Sequence, residues 1–487
     1  MADYVENGPL ASSLMEAARS FGNYDLGSAL ADLVDNSIKA TASIVEITCF
    51  WNDGQPVISV KDDGYGMSKA ELHSAMRLAS IDPRDERAAE DLGRFGLGLK
   101  TASFSQCRRL SVFSKRKGKT AGARWDLDDL KDKFLMEIPS PEEQREAVSE
   151  FPGKSDGTLV RWEKLDRLTE GGEAGEDEFN AAIIEAKRHI ALVFHRFLEG
   201  EGRKKKLSVI LNNDEILPFD PFNKNHDATQ PLHNEVISYK GKRIQMQPYI
   251  LPHHSKVSQQ EYEALSGAEG YLRNQGFYIY RQKRLIIHGT WFRLAPHGEL
   301  SKLARVQVDI PNSLDSEWRI NVDKSDAQLP ARVKTRLKQV IERIRKTSTR
   351  VYTGRGSRVG RSGITTVWKR RAIHGQVKYI VNREHPLVEQ VLQNEKAAGF
   401  KGMLDLIETN LPVETLFADL GENPRDVVQT ETDTDALFEA TRTIISIFVD
   451  AGMKAEDVRK KVRAIEPFAS NWLQIKDLVD QTVGAKK

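Results

Sequence analysis

Cysteine is almost missing from this chain of 487 residues: only Cys49 and Cys107 occur. Their wide separation excludes a disulfide framework and any cysteine-rich zinc module. No apolar run approaches the length that spans a bilayer. The opening MADYVENGPLASSLMEAARS lacks a basic stretch followed by an apolar core, so no secretory leader is read there and a cytoplasmic location is expected. Sustained heptads and internal repeats are absent as well. Hydrophobic residues make up 39% and charged residues 29%, the balance of an ordinary globular protein. The length exceeds what one core organises, and two or three domains are expected.

The net charge of +2 conceals an uneven distribution. Between Arg332 and Arg371 fourteen Lys or Arg accompany one acid, Glu342. From about residue 403 the balance turns acidic, with Asp405, Glu408, Glu414, Asp419 and Glu422 among the first. Such asymmetry suggests a middle that faces a polyanion and a C-terminal surface of another kind. A solvated amphipathic helix followed by a charged linker would give the basic middle equally well.

Apolar periodicity places a helix over 23–40, where Leu30, Leu33, Val34 and Ile38 recur at helical spacing and leave Asp32, Asp35, Asn36 and Lys39 on the opposite side. SIVEITCFW and PVISVKD follow as strands rich in β-branched residues, joined by the turn NDGQ. A charged loop, IDPRDERAAED, then leads to the glycine cluster GRFGLGLKTAS. Strand material in LSVFSKRKG, GARWDLDDL and GTLVRWEKL finishes a first domain near residue 165. A linker helix over 178–199 opens a second α/β region, 166–350, with strands KLSVILNN, GFYIYRQKRLII and ARVQVDI and a closing basic helix. The element order is α+β. A Gly/Ser/Arg linker over 351–371 precedes a mostly helical region, 372–487.

Four segments carry candidate chemistry. On the first helix Asp32 and Asn36 stand four residues apart and share a side. A carboxylate there can orient and deprotonate a water, and an amide oxygen is a hard ligand suited to Mg²⁺; a solvated polar face is the plainer reading. Asp62 ends a strand and heads the run Asp62-Asp63-Gly64-Tyr65-Gly66-Met67. Its carboxylate can accept from an adenine amino group while the glycines turn the backbone against the base, although DDGYG is also a common turn. Gly93 to Thr101 reads GRFGLGLKT ahead of a helix, where backbone N–H groups can approach a phosphate. That cluster lacks the GK[ST] ending of a P-loop and the preceding strand of a dinucleotide fold. Lys100 serves either a phosphate or solvent. Finally, Thr158 opens a strand where a hydroxyl can support the adenine-binding carboxylate.

In this order ADLVDNS, DDGYGM, GRFGLGLK and GT resemble the motifs of the GHKL superfamily, which includes gyrase B subunits, MutL, the ninety-kilodalton heat-shock chaperones, histidine kinases and MORC proteins. The resemblance implies an N-terminal Bergerat α/β sandwich over 1–165, with helices on one face of a mixed sheet. It places Asp32 at the general base, Asn36 at the Mg²⁺ ligand and Asp62 at the adenine contact. Ala40, Gly64, Gly66, Met67 and Thr158 then belong to the nucleotide pocket. Gly93, Arg94, Phe95, Gly96, Leu97, Gly98, Leu99, Lys100 and Thr101 form the phosphate-binding end of a lid. GFYIYRQKRLI resembles paired strands of the transducer domain in the gyrase, MutL and MORC branches, and DSEWRINVDKSDAQLP resembles the loop whose lysine reaches the γ-phosphate, here Lys324.

Two departures matter. The ATPase branches usually carry Glu where this chain has Asp32, shorter by one methylene or roughly 1.5 Å of reach, so hydrolysis is expected to be slow, to need a compensating backbone shift, or to be absent. Lys39 replaces an acid often found before Ala40. The resemblance implies an ATP- and Mg²⁺-dependent homodimeric clamp of MORC or MutL type, closing through its N-terminal domains on DNA held without sequence preference. The alternative is a chaperone-like or signalling ATP switch whose protein partner binds the C-terminal region.

Overall fold

The computed structural model describes residues 10–19, 24–78, 98–130, 133–149, 151, 156–172, 174–201, 206–267, 270–298, 301–314, 330–356, 364–373, 376–393, 398–413, 415–416 and 433–484. They fall into two compact units, Met1–Pro252 with Gln260–Arg345, and His253–Gln259 with Lys346–Lys487.

The first unit opens with α1 (Ala11–Ala18) and α2 (Leu26–Lys39), then the hairpin β1 (Ile44–Phe50) and β2 (Val57–Asp62). After α3 (Lys69–Met76) and α4 (Gly98–Gln106) come β3 (Arg109–Arg116), β4 (Lys119–Asp126), α5 (Pro141–Ser149) and β5 (Gly157–Glu163). The elements α6 (Glu176–Val193), α7 (His195–Leu198), β6 (Ser208–Leu211) and β7 (Asp214–Glu215) complete a seven-stranded sheet of order β4-β3-β5-β2-β1-β6-β7. All neighbours are antiparallel except β1 and β6, so the sheet is mixed, as expected. The strand KLSVILNN, expected in the second region, pairs here with β1, and this layer runs on past residue 165.

Local chemistry explains where α2 starts and stops. Asp25 caps it by accepting from the Ser28 N–H at 2.6 Å. Thr41, with φ of 59°, turns the chain out of the helix. The apolar stripe of α2, including Leu30, Leu33 and Val34, is buried in the core shared with the sheet, and α4 and α6 both pack against α2. α3 begins with a reciprocal capping box between Ser68 and Glu71.

Strand periodicity sorts the sheet into two faces. Ile58, Val60, Leu110, Val112, Val160 and Trp162 point into the helix-covered core. The alternating Phe113 and Leu159 form a smaller cluster on the other face with Ala147 and Val148 of α5. One helix therefore lies on the face that the resemblance left uncovered. Asp62, Ser114 and Thr158 continue the inward-facing series, so the alternation that builds the core also delivers three polar groups to the helix side. Indole N–H groups anchor the helices on that side: Trp162 donates to Ser103 of α4 at 2.8 Å, and Trp125 to the Met76 carbonyl of α3 at 3.2 Å.

A second sheet follows in the same unit: β8 (Gln230–Pro231), β9 (Glu235–Tyr239), β10 (Lys242–Ile250), β11 (Gly276–Arg281), β12 (Arg284–Thr290) and β13 (Ala304–Ile310). Its order is β12-β11-β13-β10-β8, with β9 also on β10. The basic helix Ala331–Gly356 extends beyond the expected residue 350 and buries Val333, Leu337, Val340, Ile341 and Ile344.

The second unit holds the hairpin β14 (Trp368–Ile373) and β15 (Gln376–Val381), part of which lies in the stretch expected as linker. Helices Pro386–Leu392, Ala398–Thr409, Thr434–Asp450, Ala455–Val462 and Trp472–Gly484 follow. Its core joins Leu437, Ile444, Phe448, Val458, Phe468 and Ile475. The architecture is α+β with a helical C-terminal region. Among the described residues no helix is long and apolar enough to cross a membrane.

The Asp25→Ala variant removes one acceptor from the start of α2. It is expected to lose about 1 kcal/mol of stability, read as a lower urea midpoint with an unchanged slope.

Candidate functional site

Asp62 is the last residue of β2 and is paired in register with Thr158 of β5, which is in turn paired with Ser114 of β3. Because β5 lies between the other two strands, three segments distant in sequence present side chains at one spot. Asp62 is only 9% exposed. Its Oδ1 accepts from the Gly64 N–H at 2.9 Å and its Oδ2 from the Ser37 hydroxyl of α2 at 3.0 Å. Burial raises its carboxyl above the ordinary 3.8, against the pull of hydrogen bonds from Gly64, Ser37 and the Thr158 backbone. A carboxylate placed so keeps lone pairs for a further donor.

The turn after Asp62 is shaped by contacts that leave no space for a Cβ at Gly64 or Gly66. A Cβ on Gly64 would stand 2.7 Å from the Ala40 Cβ, and the Ala40 carbonyl accepts from the Tyr65 N–H at 3.1 Å. Gly66 has φ of +63°, and a Cβ there would lie 2.0 Å from the Lys115 carbonyl oxygen. The Met67 N–H donates to the Ser114 hydroxyl at 2.8 Å, which donates to the Gly157 carbonyl at 2.9 Å and meets the Thr158 hydroxyl at 3.1 Å. Contacts and hydrogen bonds thus tie Ala40, Asp62, Gly64, Gly66, Met67 and Thr158 into one cluster. Asp63 is structural: its carboxylate receives the backbone N–H groups of Ser43 and Ile44 at 2.7 and 2.8 Å.

Along α2, one turn and more before Ser37, stands Asp32, also 9% exposed. The Tyr24 hydroxyl donates to its Oδ2 at 2.9 Å. A Cβ built on Gly98, the first residue of α4, would lie 3.5 Å from that same oxygen. The carboxylate therefore faces the helix end at which backbone N–H groups have no partner within the helix. Asn36 projects from α2 to solvent. In α4, Leu99 is half-buried while Lys100 and Thr101 are buried. The Lys100 ammonium donates to the Ala75 carbonyl of α3 at 2.9 Å, and burial pushes it down to about 8. Gly93, Arg94, Phe95, Gly96, Leu97 and Lys324 lie outside the described residues.

Three contributors were not singled out from the sequence: Ser37, Ser114 and Tyr24. Ser37 was legible in principle as the polar residue next to Asn36 on an otherwise apolar helix side. Ser114 ends the alternation LSVFS on the inward face. Tyr24 carries no local signal, since only the packing of α2 and its preceding loop brings its hydroxyl to Asp32. Asp35 departs from its expected place on the open polar face: it is buried against Arg284 of β12.

Helix α2 links the two ends of this site, with Ser37 touching the strand-end carboxylate and Asp32 facing the start of α4. Residues 24–158 match the family of histidine kinase-, DNA gyrase B- and HSP90-like ATPases. Residues 24–158 form a GHKL-type ATPase domain. Over 91 residues the chain is also 31% identical to ATPase morc-1 of Caenorhabditis elegans, a similarity covering 19% of this chain and 10% of that protein. The chain is similar there to a relative of which it spans about a tenth. ATP is the ligand class such a GHKL domain accommodates.

The donor set can be compared with Mg²⁺, which usually accompanies ATP in such domains. Among the described residues no three or more His, Cys, Asp or Glu gather into an all-protein cage. A single exposed amide, Asn36, suits an ion that keeps several waters and takes its other ligands from phosphate oxygens.

The Gly66→Ala variant forces a left-handed backbone and a clash with Lys115 together. It is expected to lower stability by about 2–4 kcal/mol, and a thermal midpoint within a degree of the parent would contradict the geometry.

Proposed function

We propose that this chain binds ATP with Mg²⁺ and hydrolyses it slowly, working as a nucleotide-gated homodimeric clamp on DNA. The observation that carries the reading is the buried Asp62 carboxylate, held by Ser37 and Gly64 at a strand end and backed by Thr158 and Ser114. Such a group receives the exocyclic amino group of adenine and refuses a keto base at the same point.

The remaining roles follow along α2 and α4. The N-terminus of α4, beginning at Gly98, offers backbone N–H groups and the positive end of a helix dipole to phosphate. Asn36 would hold one position on Mg²⁺, which supplies charge neutralisation between phosphates when bound. Asp32, oriented by Tyr24, positions a water and takes its proton. Its short side chain limits the reach and accounts for slow turnover. Lys100 adds a buried cation beside the same helix end, and Lys324 is assigned to the γ-phosphate by its motif alone. Closing of two N-terminal domains would follow from nucleotide binding more tightly to the closed arrangement.

DNA is assigned to the basic segment 332–371. On its helix, Arg332, Lys334 and Lys338 are exposed, whereas Arg336 and Arg343 pair with Glu235. A second reading has one observation in its favour: Met403, Leu406 and Ile407 leave an exposed apolar stripe on the helix Ala398–Thr409, which suits a protein partner.

Nucleotide binding is tested by titrating a fluorescent ATP analogue with Mg²⁺. Asp62→Asn is expected to weaken binding about tenfold or more, as loss of a buried charged acceptor implies. Because the Asp62 carboxyl is raised, the parent loses affinity as pH falls through a value above the ordinary 3.8. The sign follows from protonation removing the acceptor. Asp62→Asn should lack that limb, and a parent with no ATP affinity defeats the proposal.

For hydrolysis, Asp32→Asn is expected to slow phosphate release about 100-fold, while Asp32→Glu is retained or faster. Equal near-zero rates for all three chains would remove the enzymatic claim. For DNA, neutralising Arg332, Lys334 and Lys338 to Gln is expected to reduce the slope of log affinity against log salt by about 2–3. An unchanged slope, or no binding by the parent, favours the protein partner.

A further inference from the structure

The GHKL domain and the second sheet meet at a buried ion pair far apart in sequence. Arg284 Nε lies 3.1 Å from Asp35 Oδ2 and 3.3 Å from Oδ1, across 249 residues. Both side chains are withdrawn from solvent, at 4% and 8% exposed. The guanidinium also donates to the Leu285 carbonyl at 2.5 Å and lies 5.3 Å from the centre of the Phe194 ring. Asp35 precedes Asn36 directly and follows Asp32 by three residues, so the pair grips α2 within one turn of both candidate site residues.

The segment that presents Arg284 is itself constrained. Arg281 pairs with Arg284, leaving Gln282 and Lys283 as a two-residue hairpin turn. Both central residues have positive φ, 48° and 70°. This is the primed turn that follows strand twist, usually made by Asn-Gly rather than Gln-Lys. The Lys283 ammonium donates to the Glu201 carbonyl at 2.5 Å. Left-handed backbone at residues other than glycine persists where surrounding contacts impose it. The turn thus fixes the point from which Arg284 enters α2.

A buried ion pair is weak evidence for stability, because desolvating both charges offsets most of their attraction; its best-supported use is to specify one arrangement over others. We propose that Arg284 is a positioning residue for the nucleotide site. Acting through Asp35, it sets the placement of α2 and hence of Asn36 and Asp32, so the second sheet determines how well the GHKL domain holds Mg²⁺–ATP. This rests on the ATP-binding reading above and adds to it a route between the two sheets of the unit.

The test uses the full chain and three variants: Arg284→Met, Arg284→Lys, and the neutral pair Asp35→Asn with Arg284→Met. ATP affinity is measured with Mg²⁺ and with EDTA, alongside phosphate release and thermal midpoint. Arg284→Met is expected to lose about tenfold in affinity with Mg²⁺ and little in EDTA, with Arg284→Lys intermediate. The neutral pair should recover the thermal midpoint by removing the buried charge that has lost Arg284, yet not the Mg²⁺-linked affinity. Parent-like affinity and turnover in Arg284→Met, or full recovery of both in the neutral pair, would reduce the pair to packing and overturn this inference alone. A parent chain without ATP affinity overturns the proposed function and this inference with it.

Discussion

A carboxylate taken out of water has to be hydrogen-bonded, and the placement of Asp62 constrains the first sheet and its helices together. It lies at the end of β2 on the inward face, where Ile58 and Val60 precede it in the core. Ser37 can reach it only if α2 crosses that strand end. The Gly64 N–H can reach it only if the following turn folds back against Ala40, which a side chain at Gly64 would block. Satisfying one buried acid therefore defines the angle of a helix, the path of a turn and the register of two strands.

Helix α2 shows how one amphipathic element can serve a core and a site together. Its apolar stripe belongs to the main cluster of the unit. The rest of its surface is divided three ways: Asp32 toward α4, Ser37 toward β2, and Asp35 toward β12. Only Asn36 and Lys39 among its later polar residues are left exposed. A helix held on so many sides has little freedom to shift without disturbing several partners, which makes it suited to carry information between a bound nucleotide and the second sheet.

Much of the fold was legible from local pattern. The helix over 23–40, the β1–β2 hairpin and the basic helix carry local pattern strong enough to read directly, while GFYIYRQKRLII read as strand material and its pairing came from the resemblance. The candidate site was legible as four separate motifs, and the sheet register brings Asp62, Gly64, Gly66 and Thr158 together. Less legible were the residues that support them. Ser114 and Ser37 are common residues in ordinary positions, and their importance comes from what stands opposite. The strand 208–211 read as part of a later region because its sequence neighbours are there, whereas its hydrogen-bonding neighbour is β1. α5 was not read from the sequence, and its cover of the sheet's other face depends on Phe113 and Leu159 pointing away from the main core.

Composition and motif spacing determined by themselves that this chain is an α+β protein with few cysteines, carrying the successive motifs of a GHKL domain. Those properties lie in short stretches, where residue type and periodicity act through neighbouring atoms. Tertiary structure alone decided that β5 lies between β2 and β3, that Tyr24 meets Asp32, and that Asp35 is buried under Arg284. Sheet neighbours need not be chain neighbours, and the partner of a buried charge is whichever group the closed packing leaves within reach.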